Sequence, residues 1–215
     1  MSRVREAFLA SYDAVRPLVA SDDLRRKWDD ESCLEGFSVR GLAGHLVRAG
    51  MAPLDYLEAG TTVEAPVPAP QYYATVLGRM DRAEHAEVVS RGEAVGGTSA
   101  DELLADYDET KARQAEIIPG VPPDRVISVY MDVPLRFDDY LVVRIVEILV
   151  HTDDLAVSLG FPEIEPPKEA VDLAIEHLIA VARLQQGDRA VLIALSRRER
   201  DTVDALRVFR AVPKD

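Results

Sequence analysis

The sequence has almost no cysteine and no long apolar run. Cys33 is the only cysteine among 215 residues, which excludes an intramolecular disulfide and a zinc site built from several thiolates. The longest apolar stretch, residues 141–150, contains Arg144 and Glu147 and is too short to span a membrane. The first residues lack the apolar core of a signal peptide, so we expect a cytoplasmic protein.

Positive charge is also scarce. Lysine and arginine number 25 against 38 acidic residues, which gives a formal net charge of -13. Nucleic acids and anionic membranes are bound by clustered positive charge, and the short basic run at 25–27 is too small to provide it. We therefore expect small-molecule partners, with neither nucleic acid nor membrane among them. The sequence leaves the oligomeric state open.

Helical periodicity runs through most of the chain. It predicts helices at 4–20, 38–58, 72–89, 100–118, 139–159, 168–185 and 189–195. Ser38 is the expected N-cap of the second helix, and Pro53 predicts a kink or break within it. Gly92, Gly96 and Gly97 should interrupt the pattern further on. Short strands are possible at 126–131 and 205–209. The prediction is a mainly α fold: a four-helix bundle over residues 1–160 and a short α/β C-terminal extension, 161–215, packed on it.

Two histidines and one glutamate stand out by their apolar surroundings. Glu147 and His151 are four residues apart and so share a face of one apolar helix. A buried carboxylate is costly unless a cation or hydrogen bonds compensate it. His45 lies in a similar apolar stretch, beside the small residues Ala43 and Gly44. These three side chains could bind one divalent metal and leave a coordination position open.

The same residues also allow a purely structural interpretation. Glu147 and His151 could form a buried ion pair, and His45 could be a core histidine bonded to a carbonyl. Arg144, one turn before Glu147, could pair with that carboxylate or anchor an anionic substrate. Asp154 could orient a ligand histidine or could mark the wetter end of the helix.

The remaining polar candidates are weaker. Asp153 has the same two interpretations as its neighbour at position 154. We expect His85, among charged residues, to face solvent, and His177 to be a surface or boundary residue. Cys33 is more plausible as a structural thiol than as a nucleophile.

Two segments resemble a known family. Residues 32–46, with Trp28 before them, and residues 144–160 look like the two motifs of the mycothiol-dependent maleylpyruvate isomerase family, one of the DinB-like metal-binding bundles. The resemblance implies a DinB-like four-helix bundle with a divalent metal, typically zinc, on His45, Glu147 and His151. Phe37 departs from the tryptophan usual in that family.

The resemblance also implies a function. It suggests a metal-dependent isomerase or S-transferase that uses mycothiol, a small thiol, as cosubstrate and acts on a small electrophilic substrate. Arg144 is the candidate catalytic residue, since it could stabilise developing negative charge. Two alternatives remain open: a metal-dependent hydrolase that needs no thiol, and a non-catalytic, metal-stabilised binding or stress-response module.

Overall fold

The chain folds mainly into helices, and the computed structural model describes residues 1–60, 64–79, 81–200 and 203–209. Apart from short 3-10 turns, the elements in chain order are α1 (Arg3–Ala14), α2 (Arg16–Val19), α3 (Asp22–Arg26), α4 (Val39–Ala59), α5 (Ala69–Arg79), α6 (Arg82–Gly96), α7 (Ala100–Ile117), β1 (Val126–Val129), β2 (Val133–Arg136), α8 (Phe137–Leu159), α9 (Lys168–Gln186) and α10 (Asp188–Ser196). The mainly α fold expected from the sequence is confirmed.

Four of these helices close a bundle. Both α1 and α4 pack against α7 and α8, so each helix has two neighbours in a ring. Their apolar faces meet in a core in which Phe8, Leu42, Leu103 and Ile145 are at most 1% exposed. Helix α6 covers α4 from outside, while α9 packs against α5, α8 and α1. The boundary at residue 160 between bundle and extension stays a prediction.

The first predicted helix, 4–20, is wrong in its length. Helix α1 ends at Ala14, and the short α2 begins at Arg16 with a proline in its first turn. In a continuous helix, the ring of Pro17 would clash with the backbone carbonyl one turn before it, and its nitrogen has no hydrogen to donate to that carbonyl. The chain therefore restarts at this point.

The second predicted helix is confirmed, and it continues through its proline. The Ser38 hydroxyl accepts a hydrogen bond from the Gly41 amide, and α4 then runs without a break to Ala59. Pro53 is buried, and its neighbours Ala52 and Leu54 are each 2% exposed. Burial on this scale outweighs the loss of one backbone hydrogen bond.

The predicted helix at 72–89 is two helices. Asp81 starts the second of them, since its side chain accepts a hydrogen bond from the Glu84 amide. Helix α6 then continues through Gly92 and ends at Gly96, with Gly97 as its C-cap, so the expected interruption is wrong at Gly92 and confirmed at Gly96 and Gly97.

Glycines bring α4 and α6 unusually close together. A Cβ atom added at Gly44 would overlap backbone atoms of Gly92 and Gly96, and one added at Gly92 would approach the Gly41 carbonyl and lie 3.2 Å from the His45 Cβ. Helical glycines are unfavourable in isolation. Here they allow α6 to pack closely against α4, the helix that carries His45.

One of the two strand predictions is confirmed in part, and the other is wrong. The strand expected at 126–131 is present only at Val126–Val129, as β1, and Tyr130–Asp132 form a 3-10 turn. Strand β1 pairs antiparallel with β2. Pro134 concealed β2 in the sequence, because proline is unusual in strands. In place of a strand at 205–209, Val203–Leu206 form a 3-10 turn and 207–209 are irregular. Within the described part of the chain, no helix is long and apolar enough to cross a membrane.

The glycine contact predicts a site-specific loss of stability. Gly44→Ala should lower the free energy of unfolding by about 1–3 kcal/mol, because its methyl group overlaps backbone rather than a flexible side chain. Gly78→Ala is the matched control: a Cβ there meets nothing within 4 Å, so it should be neutral or slightly stabilising. Urea unfolding measures both, and equal effects would contradict the assigned contact.

Candidate metal centre

The three predicted metal ligands come together where α4 packs against α8. His45 lies on α4, while Glu147 and His151 lie one turn apart on α8. Oε2 of Glu147 is 3.8 Å from Nε2 of His45 and 3.5 Å from Nε2 of His151. The donor atoms of all three residues lie within 4.8 Å of one another. The fold thus brings together residues about 100 positions apart in the sequence.

The spacing and chemistry of these donors fit a divalent metal. Tetrahedral zinc with bonds of about 2.0–2.1 Å holds its donors roughly 3.3 Å apart, a few tenths of an ångström less than the 3.5 and 3.8 Å from Oε2 of Glu147 to the two histidines. The three side chains are 12–14% exposed, so the site is mostly dry but not sealed. Imidazole and carboxylate also suit nickel, iron and manganese, so the donor set alone does not choose the metal.

Asp154 orients one of the histidines. Its Oδ2 lies 3.0 Å from Nδ1 of His151, so a proton on Nδ1 is donated to the carboxylate and Nε2 is turned toward Glu147. Asp153, its neighbour, is exposed. Asp154 therefore fits the interpretation as a residue that orients a ligand histidine, whereas Asp153 fits the interpretation as part of the wetter end of the helix.

Tyr73 contacts the site, and sequence reasoning missed it. This residue lies on α5, is 2% exposed, and its hydroxyl donates a 2.5 Å hydrogen bond to Oε1 of Glu147. Burial and the charge of Glu147 raise the pKa of Tyr73 well above its usual range, so the hydroxyl keeps its proton. Tyr73 is 74 positions from Glu147, and no sequence pattern links the two residues.

The charges of the three candidate ligands, His45, Glu147 and His151, compensate one another without a metal. Burial lowers the pKa of His45 to about 4, which makes it neutral at pH 7. Burial also opposes charge on His151, but the hydrogen bond to Asp154 and the nearby carboxylate of Glu147 outweigh it and raise the pKa to about 9. For Glu147, burial is outweighed by the nearby imidazoles of His151 and His45, at 3.5 and 3.8 Å, and by the charge of Arg144, so its pKa lies well below the usual range. A metal that binds here would therefore compete with a proton on His151.

Arg144 lies beside the three candidate metal ligands, and its guanidinium group is not fully hydrogen-bonded within the described part of the chain. It stacks over the ring of Tyr140, with Cζ 5.0 Å from the ring centroid. Burial opposes its charge, but Tyr140, Glu147 and nearby tyrosines keep its pKa above the usual range. Within the described residues, its buried Nε has no hydrogen-bond partner. Both interpretations of Arg144 remain compatible with this position.

The other two histidines are more buried than the sequence suggested. His177 is 6% exposed, so its assignment to the surface or boundary is wrong: it packs against the ring of Tyr73, with centroids 5.4 Å apart. His85 is partly buried, with Nε2 3.2 Å from the Glu35 carbonyl. Neither belongs to the cluster of donor atoms. The exposed thiol of Cys33 donates to the Asp154 carbonyl over 3.1 Å.

The fold and the site together define a class, a helical bundle with a His/Glu/His cluster that could hold a metal between two of its helices. Comparison with known families then gives a more specific assignment. The family model for the mycothiol maleylpyruvate isomerase N-terminal domain matches residues 8–156. No curated protein and no solved structure matches the chain. The chain therefore belongs to the mycothiol maleylpyruvate isomerase family and has its DinB-like bundle, which confirms the resemblance seen in the sequence.

His177 predicts an acid-dependent loss of stability. Burial lowers its pKa to about 4, whereas an unfolded histidine titrates near 6.5. The unfolded state therefore binds the proton first, and stability should fall by about 2–3 kcal/mol as the pH drops from 6.5 to 4. Urea unfolding of the wild type and His177→Phe at pH 7 and 4.5 measures this. Equal acid sensitivity of the two proteins would contradict the assignment.

The donor cluster predicts stoichiometric metal binding. Wild-type protein dialysed against zinc should keep about one ion per chain, His151→Ala should lose it, and His85→Ala, outside the cluster, should keep it. Because a proton on His151 competes with the metal, affinity should rise with pH toward about 9. Mass spectrometry of the metal content measures the stoichiometry. Retention of zinc by His151→Ala would exclude this residue as a ligand.

Proposed function

We propose that this chain is a metal-dependent enzyme that uses mycothiol as a cosubstrate and carries out isomerisation or S-transfer on a small electrophilic substrate. The observation that carries the proposal is the convergence of the donor atoms of His45, Glu147 and His151, in a chain of the mycothiol maleylpyruvate isomerase family. Zinc as the metal and the cytoplasm as the location are parts of the proposal.

Three protein ligands and an open position are typical of catalytic rather than structural zinc sites. A divalent cation held by these donors would lower the pKa of a thiol that binds it, so that the thiolate exists at neutral pH. The protein's own thiol is a poor candidate for this role, since Cys33 is exposed and donates to a backbone carbonyl. An external thiol therefore suits the site better.

The balance of charge also favours anionic ligands. Glu147 and Asp154 contribute two negative charges, and Arg144 contributes one positive charge. With a divalent cation present, the carboxylates offset only part of the positive charge, and the excess attracts a thiolate or a negatively charged substrate group. The Nε of Arg144, which has no partner among the described residues, would donate to such a group and stabilise charge developing on it.

The two alternatives differ from this proposal in measurable ways. A hydrolase of the same site would act on its substrate without any added thiol. A non-catalytic module would have its metal enclosed by protein ligands. Support for the proposal comes from the 12–14% exposure of the three donor side chains, which shows that these side chains are not fully enclosed by protein.

The thiol requirement can be tested with cobalt-substituted protein. Mycothiol should add a sulfur-to-cobalt charge-transfer band to the absorption spectrum, because its thiolate would bind the metal directly. Mycothiol with a methylated sulfur is the matched control and should add no band. The same titration with His151→Ala should also give no band, since that protein should hold no metal.

Two results would contradict the proposal. A cobalt protein whose spectrum does not respond to mycothiol would exclude thiol binding at the metal. Calorimetric binding of mycothiol that is equally tight without metal would place the thiol elsewhere on the protein. Turnover of a screened substrate without thiol would instead support the hydrolase.

A further inference from the structure

We propose that Tyr73 is a positioning residue that restricts Glu147 to a single metal-binding oxygen, and that helix α9 holds Tyr73 in place. The inference rests on the proposed metal site and deepens it. It assigns a role to a side chain on α5, outside the four bundle helices, and connects residues beyond position 160 to the donor cluster.

The two oxygens of Glu147 have separate partners. Oε1 accepts the 2.5 Å hydrogen bond from the Tyr73 hydroxyl. Oε2 faces the two imidazoles, 3.8 Å from Nε2 of His45 and 3.5 Å from Nε2 of His151. A free carboxylate can bind a metal through one or both oxygens. Here a short, charge-assisted hydrogen bond engages one oxygen and leaves the other directed at the histidines.

The position of Tyr73 depends on residues near the C-terminal end of the described chain. Its ring lies 5.4 Å from the ring of His177 on α9 and 6.0 Å from that of Phe209. Helix α5 makes its most extensive packing contact with α9 and a smaller one with α8. The tyrosine ring is therefore fixed from one side by α9, while its hydroxyl reaches Glu147 on the other.

The contact between Tyr73 and His177 is a packing contact. Nε2 of His177 is buried and has no hydrogen-bond partner among the described residues, so this nitrogen forms no polar link to the site. The ring supports the tyrosine as an aromatic neighbour, an arrangement that favours a defined orientation. A chain of contacts then runs from α9 through one hydroxyl to the candidate ligand.

Tyr73→Phe tests the hydroxyl without removing the ring. We expect the Kd for cobalt to rise about 10–100-fold, the usual effect of losing a partner of a metal ligand. We also expect a weaker visible cobalt absorption, because Glu147 can then bind through both oxygens and raise the coordination number. Tyr72→Phe is the matched control: Tyr72 is adjacent and 5% exposed, and its Kd and spectrum should equal those of the wild type.

A second pair of variants tests the support from α9. His177→Ala should weaken cobalt binding in the same direction as Tyr73→Phe, whereas Glu176→Ala, exposed on the same helix, should not. Circular dichroism and thermal unfolding establish that each variant is folded under the assay conditions.

The outcomes separate this inference from the proposed function. If the wild type binds no cobalt, both are overturned. If the wild type binds cobalt but Tyr73→Phe has the same Kd and spectrum, the positioning role alone is overturned. An equal loss in Tyr72→Phe and Tyr73→Phe would also overturn it, because the effect would then come from the packing of α5.

Discussion

The burial of the Glu147 carboxylate is the constraint on which the rest of the site depends. Its helix is apolar on nearly every side, and an uncompensated carboxylate there would cost several kcal/mol. The surrounding residues supply the compensation: imidazoles of His45 and His151, the guanidinium of Arg144, and the hydroxyl of Tyr73. In the absence of metal the proton on His151 balances the charge, and a divalent cation would replace that proton.

The fold brings the compensating groups together from three helices, α4, α5 and α8. Helix α8 carries Glu147 and the two residues that lie one turn before and after it, while α4 brings His45 against them. The glycine contact with α6 covers α4 where a larger residue would push the helices apart. Helix α9 holds α5 against the bundle, so the tyrosine hydroxyl reaches the carboxylate. The site thus uses elements from most of the described chain.

The sequence was sufficient to predict those parts of the site that depend on local spacing. Glu147 and His151 share a helix face by their separation of four residues, and the apolar stretch around His45 indicated its burial. Tyr73 could not be predicted, because its contact depends on how α5 docks and not on any local pattern. His177 was misassigned for a similar reason, since its neighbour Glu176 suggested an exposed face whereas α9 turns the imidazole inward.

The same distinction applies to the fold. The Ser38 cap and helices α4, α7, α8 and α9 follow from local chemistry, and they were predicted to within two residues. Pro53 was expected to kink or break its helix and Gly92 to interrupt another, but tertiary packing keeps both positions helical. Strand β2 was missed because Pro134 is unusual in a strand, and it is the pairing with β1 that makes this segment one.

The central claim is that His45, Glu147 and His151 hold one metal ion. It is tested most directly by a crystal structure of zinc-loaded protein, with anomalous scattering measured at the zinc edge. The account predicts one anomalous peak within about 2.0–2.2 Å of Nε2 of both histidines and of Oε2 of Glu147, with Oε1 still accepting the Tyr73 hydroxyl. A peak bound elsewhere, or no peak with the three side chains in their present arrangement, would contradict it.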